Sequence, residues 1–450
     1  MGVTDGILGL IATTDRPEFW IPRSFRAQIL KEYPRGDSPL FALTSMMKQA
    51  SVSNSKFEWV EKDMPELQGA ITGRWTNVAL DAAYAGGGVA GDVLYIQCAQ
   101  ATAQDYIVGK MAALQDASHT ENMHIGYVVD VTYAGADSYV AVQLIEDDDN
   151  GVGLDADDEG DVDIAQADVI RVAGNSISEG NSYLQAMKYD PTARYNYAQT
   201  MSNSFEVTGE MLATDVRLDS NEYQDQKAEC LKLHGRDAEE ALMFSQIAQL
   251  TGSNDKRQRI TQGLAPMIIG SASAITSDYR FEATVNDVNI EGDAWTTSGA
   301  AWLNSYFEQT ALYGPQERTA LCGNKVFSAL NALAETDGTI NLKPKDNAWG
   351  LDIMQWIIHG LKVNFISAPL MSIKAGWDRA AIIFPAEDIE YKYFQSRDTT
   401  FLPDPNREKA GSIGRDGIIE GYRTQFGLET HFEKRFMLLM GFGQENTQTP

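Results

Sequence analysis

A single long helix dominates the pattern of apolar and polar positions in this chain. Apolar residues, among them Leu231 and Leu242, recur at helical spacing over 220–250. No proline interrupts this stretch, and Gly252 follows it, as expected beyond a helix end. The pattern therefore predicts a helix of about 31 residues, roughly 45 Å long, with Gly235 as a candidate bend. The same pattern also fits a buried helix of a large enzyme.

The chain before this helix contains a region of short β-type segments. The region spans 85–174, and its turn-separated segments predict a small β-barrel or sandwich. The predicted strands are 92–97, 125–132, 139–145 and 169–172. The flanking segments, 61–84 and 175–189, resemble the two sides of a long hairpin, so the β region is predicted to be an insertion. Residues 63–74 are polar and are predicted to form turns.

The remaining segments predict an α+β class. Residues 1–60 combine scattered prolines and aromatic residues, which is typical of an extended arm, with one strand near 55–60. Another strand is predicted from Tyr195 to Thr208, directly before the long helix. The later elements are two helices, 297–313 and 324–335, followed by strands at 361–366, 380–384, 390–394 and 417–430. Charges alternate along the last two strands, so one face is predicted to stay in water.

Composition excludes several functional classes. The 450-residue chain has a net charge of −27, which argues against affinity for DNA phosphates, because that affinity needs Lys and Arg. No run of 18 apolar residues exists, so no transmembrane helix and no membrane partner is predicted. The three cysteines form neither a metal pattern nor a disulfide framework, which suits the reducing cytoplasm of a cell.

Two motifs in the β region were weighed as ligand sites. The glycine-rich run Gly86–Gly91 matches the pattern of a dinucleotide loop, but a strand is predicted after it, where a phosphate site needs a helix. The segment 146–163 holds ten acidic residues and no basic one. Its part Asp155–Gly160 approaches a calcium loop, but Gln166 replaces the required bidentate Glu. A solvated acidic hairpin tip is the preferred interpretation, and whether this tip binds a cation stays open.

No candidate catalytic, cofactor-binding or metal-binding residue emerges elsewhere. The five histidines, His119, His124, His234, His359 and His431, show no metal-binding spacing. The basic cluster Lys256–Arg259 is interpreted either as charges at a helix end or as a contact with the acidic surface of a partner. Four tryptophans are predicted to be packing anchors rather than a ligand cage: Trp59, Trp75, Trp302 and Trp356. The chain is therefore predicted not to be an enzyme and to need no cofactor.

The order of these parts resembles the major capsid proteins of tailed bacteriophages with the Hong Kong 97 fold. The likeness is greatest to the subgroup with a β insertion in the extended loop. It is carried by the long helix and by segments of loosely defined sequence, namely Phe57–Trp59, Asn175–Gly180, Asn196–Val207 and Thr251–Gly252, together with Arg257, Arg259 and Gly263. It covers most of the chain through architecture more than through invariant residues.

The resemblance implies a division of the chain into the parts of a capsid subunit. These parts would be an N-terminal arm (1–60), an extended loop (61–84 and 175–189), the inserted β domain (85–174), a peripheral domain (190–266 and 380–450) containing the long spine helix, and an axial domain (267–379). Arms and loops of this kind reach over neighbouring copies, which enlarges the contacts between them.

The implied function is structural. The protein would assemble as hexamers and pentamers into an icosahedral shell around double-stranded DNA, in the virion, after synthesis in the bacterial cytoplasm. Implied partners are other copies of the chain, a separate scaffolding protein, a portal, and a decoration protein. The alternatives are an encapsulin-like shell, another phage assembly protein, or an enzyme with an unrecognised site. Shell size, host and covalent cross-linking stay open.

Overall fold

The structure is a computed structural model that divides into two compact units. One unit comprises residues 1–61 and 193–450, and the other comprises 62–192. The structure describes residues 40, 44, 48–62, 67–117, 123–148, 164–177, 187–214, 222–286, 288–337, 343–348, 351–405 and 416–447. The predicted α+β class is confirmed.

The described elements comprise both helices and strands in each half of the chain. The helices are α1 (Gln100–Ala103), α2 (Gly209–Ala213), α3 (Glu222–Phe244), α4 (Leu264–Gly270), α5 (Trp295–Ala311), α6 (Asn324–Asp337) and α7 (Pro369–Ile373). The strands are β1 (Lys48–Val52), β2 (Lys56–Glu61), β3 (Gln68–Trp75), β4 (Val93–Cys98), β5 (Lys110–Gln115), β6 (Met123–Thr132), β7 (Tyr139–Leu144), β8 (Val169–Asn175), β9 (Thr192–Tyr197), β10 (Gln199–Thr208), β11 (Ala248–Thr251), β12 (Arg257–Ile260), β13 (Ile275–Asp278), β14 (Thr284–Val285), β15 (Val288–Asn289), β16 (Glu317–Cys322), β17 (Lys343–Ala348), β18 (Leu351–Ile358), β19 (Leu361–Ser367), β20 (Ala381–Phe384), β21 (Ile389–Phe394), β22 (Thr400–Leu402), β23 (Gly417–Thr430) and β24 (Met437–Met440).

The long helix α3 packs on a five-stranded sheet. The sheet order is β1-β21-β23-β10, and β22 pairs with β23. The two longest partners, β10 and β23, are antiparallel over ten residue pairs. Ala238 and Leu242 of α3 share a buried cluster with Phe426 of β23, so the apolar stripe of the helix is what fastens it to the sheet.

The long helix is shorter than predicted, because its C-terminal end is used differently. It ends at Phe244, and the hydroxyl of Ser245 donates to the Ala241 carbonyl at 2.5 Å and to the Thr261 carbonyl at 2.7 Å. The predicted last turns form the strand β11 instead, and Gly252 lies in the following hairpin turn. The helix is continuous through Gly235. Its 23 residues span about 35 Å.

A seven-stranded sheet forms the second layer of this unit. Its order is β13-β24-β20-β16-β19-β18-β17, with α5 and α6 packed against one core of buried aromatic and aliphatic residues. Trp302 lies at the centre of this core, and its indole N–H donates to the Ser277 hydroxyl at 3.1 Å. A two-residue turn, His359–Gly360, has positive φ angles of 46° and 77° and joins β18 to β19.

The second unit contains a closed barrel of six strands in the order β3-β4-β7-β6-β5-β8. A barrel was one of the two predicted forms. The prediction of turns over 63–74 is wrong for β3, whose Gly69 and Gly73 weaken any local strand signal. Strand β5 was also missed: its centre is Met-Ala-Ala-Leu, and alanine has low strand propensity. Both strands are held by pairing on each side within the barrel.

Strand β23 also corrects a prediction, because its polar residues are not left in water. Glu420, Thr424 and Glu429 are buried. Each has a partner: the Tyr223 hydroxyl donates to Glu420, Thr424 bonds to His234 of α3, and Lys392 pairs with Glu429. Alternation of polar residues therefore reflects buried pairing here, since α3 covers one face of this sheet.

Candidate functional site

The glycine-rich run of the barrel unit uses its amides within the protein. The amide of Ala90 donates to an Asp147 carboxylate oxygen at 2.7 Å, and that of Gly88 donates to the Tyr84 hydroxyl at 2.8 Å. Strand β4 follows the run, as predicted, so no helix N-terminus faces it. Groups that would bind a pyrophosphate are thus already engaged, which argues against dinucleotide binding at this loop.

Within the start of the acidic segment, Asp148 is a structural residue, whereas Glu146 and Asp147 are exposed. Asp148 is fully buried, and its carboxylate accepts the Ile164 amide at 2.8 Å and the Tyr84 hydroxyl. This corrects the prediction of a solvated tip for that residue. The calcium-like part, 155–160, lies outside the described residues.

The described histidines occupy separate environments. His234 in α3 bonds to the Asn203 side chain through Nδ1 and to Thr424 through Nε2, both at 2.7 Å, and burial lowers its pKa, so it is neutral at pH 7. His124 is buried in the barrel, where burial lowers its pKa as well. His359 lies in the β18–β19 turn. His119 lies outside the described residues.

The fourth described histidine, His431, belongs to a polar cluster that the sequence did not indicate. Its Nε2 lies 3.1 Å from a Glu429 oxygen, and its Nδ1 lies 3.6 Å from Glu61 at the end of β2. The ammonium of Lys392 lies 3.1 Å from both Glu429 and Glu390. We call these five residues the ionic network. They join β2 to β21 and β23, so the network ties the ribbon β2-β9 to the five-stranded sheet.

Charge alternates through the ionic network, and this fixes its protonation. Hydrogen bonds to Glu429 and then Glu61 raise the pKa of His431 to about 9 despite burial. Burial by itself would raise the pKa of Glu61 and of Glu429, but hydrogen bonds from His431, Trp59 and Lys392 outweigh it and lower both. At neutral pH the network thus holds two cations and three carboxylates.

The ionic network is not a good metal site, although it has the right elements. Ligand atoms of Glu390, Glu429 and His431 all lie within 4.8 Å of one another. However, a metal needs the neutral imidazole, and this histidine is doubly protonated at pH 7. The Lys392 ammonium also occupies the space between the two carboxylates. The cluster is therefore an ion-pair network with a structural role.

The basic cluster Lys256–Arg259 lies on a β-hairpin and not at a helix end, which corrects one of its two interpretations. Strands β11 and β12 pair antiparallel, with Thr251 opposite Arg257 and Gln249 opposite Arg259. A turn closes the hairpin: the Gly252 amide donates to the Lys256 carbonyl at 2.7 Å. The cause is local, since Gly-Ser-Asn-Asp supplies turn residues where a helix would need continuity.

The hairpin borders a polar cleft of about 330 Å³, which we call the hairpin cleft. It lies beside β10 and β23 and is lined by Ala198, Thr200, Gly252, Ser253, Asn254, Lys256, Arg257, Gln258, Arg259 and Gln425. In the described part of the chain, no carboxylate lies within ion-pair distance of Lys256, Arg257 or Arg259. This surface thus presents three cations on an acidic protein.

The tryptophans and cysteines serve packing, as predicted for the former. Trp302 and Trp356 are buried, whereas Trp75 and Trp59 are half-buried and bond through their indole N–H to Gln97 and Glu61. The three cysteines are buried free thiols. No helix in the described residues combines the length and apolarity needed to span a membrane.

Comparison with known proteins identifies the class to which this chain belongs. Residues 22–443 match the family described as SU10 major capsid protein. A major capsid protein of Pseudomonas phage PaMx41 is 19% identical over 401 residues, which cover 86% of this chain and 82% of that protein. The class is thus that of phage capsid proteins. The chain belongs to the SU10 major capsid protein family.

Solved structures that are similar to this chain include the capsid of a GTA particle and a structure of a Mycobacterium phage. The alignment with the capsid of a native GTA particle covers 96% of this chain and 99% of the capsid chain, with a TM-score of 0.42 and 8% identity. A structure of Mycobacterium phage Bobi covers 95% and 97%, with a TM-score of 0.42 and 10% identity.

Proposed function

We propose that this major capsid protein assembles as hexamers and pentamers into the icosahedral head shell that encloses the double-stranded DNA of a phage. The observation that carries the proposal is the family match, which spans 22–443 and therefore includes every core described above. The described structure supports it, because amides of the glycine-rich loop and the members of the ionic network are already engaged in hydrogen bonds and ion pairs.

The parts of the subunit follow from the same proposal. The five-stranded sheet with α3 would form most of the peripheral domain (190–266 and 380–450). The helices α5 and α6 would form the axial domain (267–379) together with five strands of the seven-stranded sheet, whose other two strands, β20 and β24, fall in the range 380–450. Residues 1–60 would act as the arm, 61–84 and 175–189 as the extended loop, and 85–174 as the inserted domain. Each part would place contact surface on a neighbouring copy.

The charge of the chain agrees with a shell protein that encloses DNA without binding to it. A net charge of −27 per copy opposes binding to phosphates, so packaged DNA would not adhere to the shell. A separate scaffolding protein, a portal and a decoration protein are the further partners of this proposal. The protein would be made in the bacterial cytoplasm and end in the virion.

Negative-stain electron microscopy tests the proposal. The purified chain is imaged after expression alone and with the genes that neighbour its own. Closed shells, or rings of five and six subunits, are the expected result. A uniform monomer or dimer under both conditions would refute shell formation and return attention to an enzymatic function.

A further inference from the structure

The hairpin cleft combines features of a binding site, and it stays open among the residues that the structure describes. The cations of Lys256, Arg257 and Arg259 border it, and Arg257 is exposed whereas Arg259 is half-buried. Charged side chains on an acidic protein normally find carboxylates, yet these three have none within ion-pair distance among the described residues. Within the described residues, these three cations therefore have no ion-pair partner.

Two buried polar atoms at the hairpin cleft also lack a hydrogen-bond partner. Gln425 is only 6% exposed, and its Oε1 has no donor. The buried Nε of Arg259 has no acceptor. Leaving such groups unpaired is unfavourable, because each loses its hydrogen bonds to water without gaining one in the protein. An occupant that offers both a donor and an acceptor removes this cost.

We propose that the hairpin cleft binds an acidic peptide segment from a second copy of this chain. A peptide backbone supplies both missing groups, because its N–H can donate to Gln425 and its C=O can accept from Arg259. Acidic side chains on the segment would pair with Lys256 and Arg257. A nucleic-acid phosphate offers acceptors only, and it leaves the glutamine oxygen unsatisfied. The net charge of −27 makes a second copy a ready source of carboxylates.

This inference rests on the proposed shell function, since it names a contact between two copies in the assembled state. The test is zero-length carbodiimide coupling, which joins a lysine amine to a carboxylate in direct contact. Shells are assembled from an equal mixture of isotopically light and heavy protein, coupled, digested and analysed by mass spectrometry. Lys325 is the internal control, because its amine lies 2.5 Å from Asp378 of the same copy.

The expected result is a set of Lys256 cross-links to Asp or Glu that join light peptides to heavy ones in shells and are absent from unassembled subunits. Lys325 should give only cross-links of uniform label. Shells in which Lys256 couples within its own copy, or not at all, would overturn the proposal while the shell function stands. A failure to form any shell would instead refute the proposed function.

A variant supplies an independent measurement. Arg257→Gln is expected to raise the critical protein concentration for shell assembly about tenfold, the size of one charge-assisted hydrogen bond. Lys325→Gln removes an equal charge outside the cleft and should leave that concentration unchanged. Equal effects of both variants would contradict the proposal. A second outcome would also contradict it: Lys256 resists acylation in shells filled with DNA but reacts once the shells are emptied. DNA would then be the occupant of the cleft.

Discussion

His431 gives the most specific prediction for stability, because it holds a proton between two carboxylates. The variant His431→Gln keeps a hydrogen-bond donor but removes one of the two cations of the ionic network, leaving Lys392. Hydrogen bonds to Glu429 and then Glu61 raise the pKa of His431 from 6.5 to about 9, although burial acts in the opposite direction. The side chain is 28% exposed, so the interactions are only partly screened by solvent.

The sign and size of the effect follow from linkage between protonation and folding. The folded state binds this proton more tightly than the unfolded state, so its contribution is complete below pH 6.5 and is lost as pH rises through about 9. Each pKa interval of one corresponds to about 1.4 kcal/mol, which gives an upper value of about 3 kcal/mol. We expect the free energy of unfolding of the wild-type protein to exceed that of the variant by about 1–3 kcal/mol near pH 6.5. This difference should shrink as the pH rises through about 9.

Urea unfolding of the unassembled chain, followed by tryptophan fluorescence at about pH 6.5, 7.5 and 9, measures this difference. His234→Gln is the matched control. Burial lowers the pKa of His234, so its contribution is constant above pH 6.5 and falls only in acid. If the His431→Gln difference is as constant as the control between pH 6.5 and 9, the imidazolium does not stabilise the fold and the reasoning fails.

Two further predictions concern packing. A Cβ at Gly263 would lie 2.8 Å from backbone atoms of Met243 and Phe244, so Gly263→Ala should lower the free energy of unfolding by about 2 kcal/mol or more, whereas Gly270→Ala, whose Cβ meets nothing within 4 Å, should be nearly neutral in the same urea assay. Trp302→Ala should lower the free energy of unfolding by about 3–5 kcal/mol, and Trp75→Ala, which removes a half-buried side chain, should lower it clearly less. Equal losses in melting temperature for the two variants would show that burial in the α5–α6 core is not the cause.

Local sequence signals predicted the elements whose pattern is long or strongly apolar. Strand β23 has the predicted bounds, 417–430, and the helices α5 and α6 lie within two residues of theirs. The end of α3 was not predictable in this way. Helical spacing continues past Phe244, but strand pairing in the hairpin and the hydrogen bond from the Ser245 hydroxyl to the Thr261 carbonyl satisfy the residues that follow. Tertiary context therefore decided the boundary.

The ionic network and the first barrel strand could not be predicted, for a related reason. Glu61 and His431 are far apart in sequence, and only the pairing of β21 with β23 brings Glu429 and Lys392 together. Strand β3 carries two glycines and exists because β4 and β8 pair with its two edges. Both features depend on strand register, which a single sequence does not disclose.

The hairpin was not predicted, and its presence changes the meaning of the basic cluster. As charges at a helix end, Lys256–Arg259 would have been neutralised by the helix dipole of their own copy. On a hairpin they face a cleft instead, and the dipole of α3 is capped by Ser245. Copies with a net charge of −27 repel one another at long range, so a shell needs short-range contacts that reverse the sign locally. Under the proposed contact, the cations of the hairpin and the unsatisfied buried atoms beside them would meet that need, because a second copy would supply their partners.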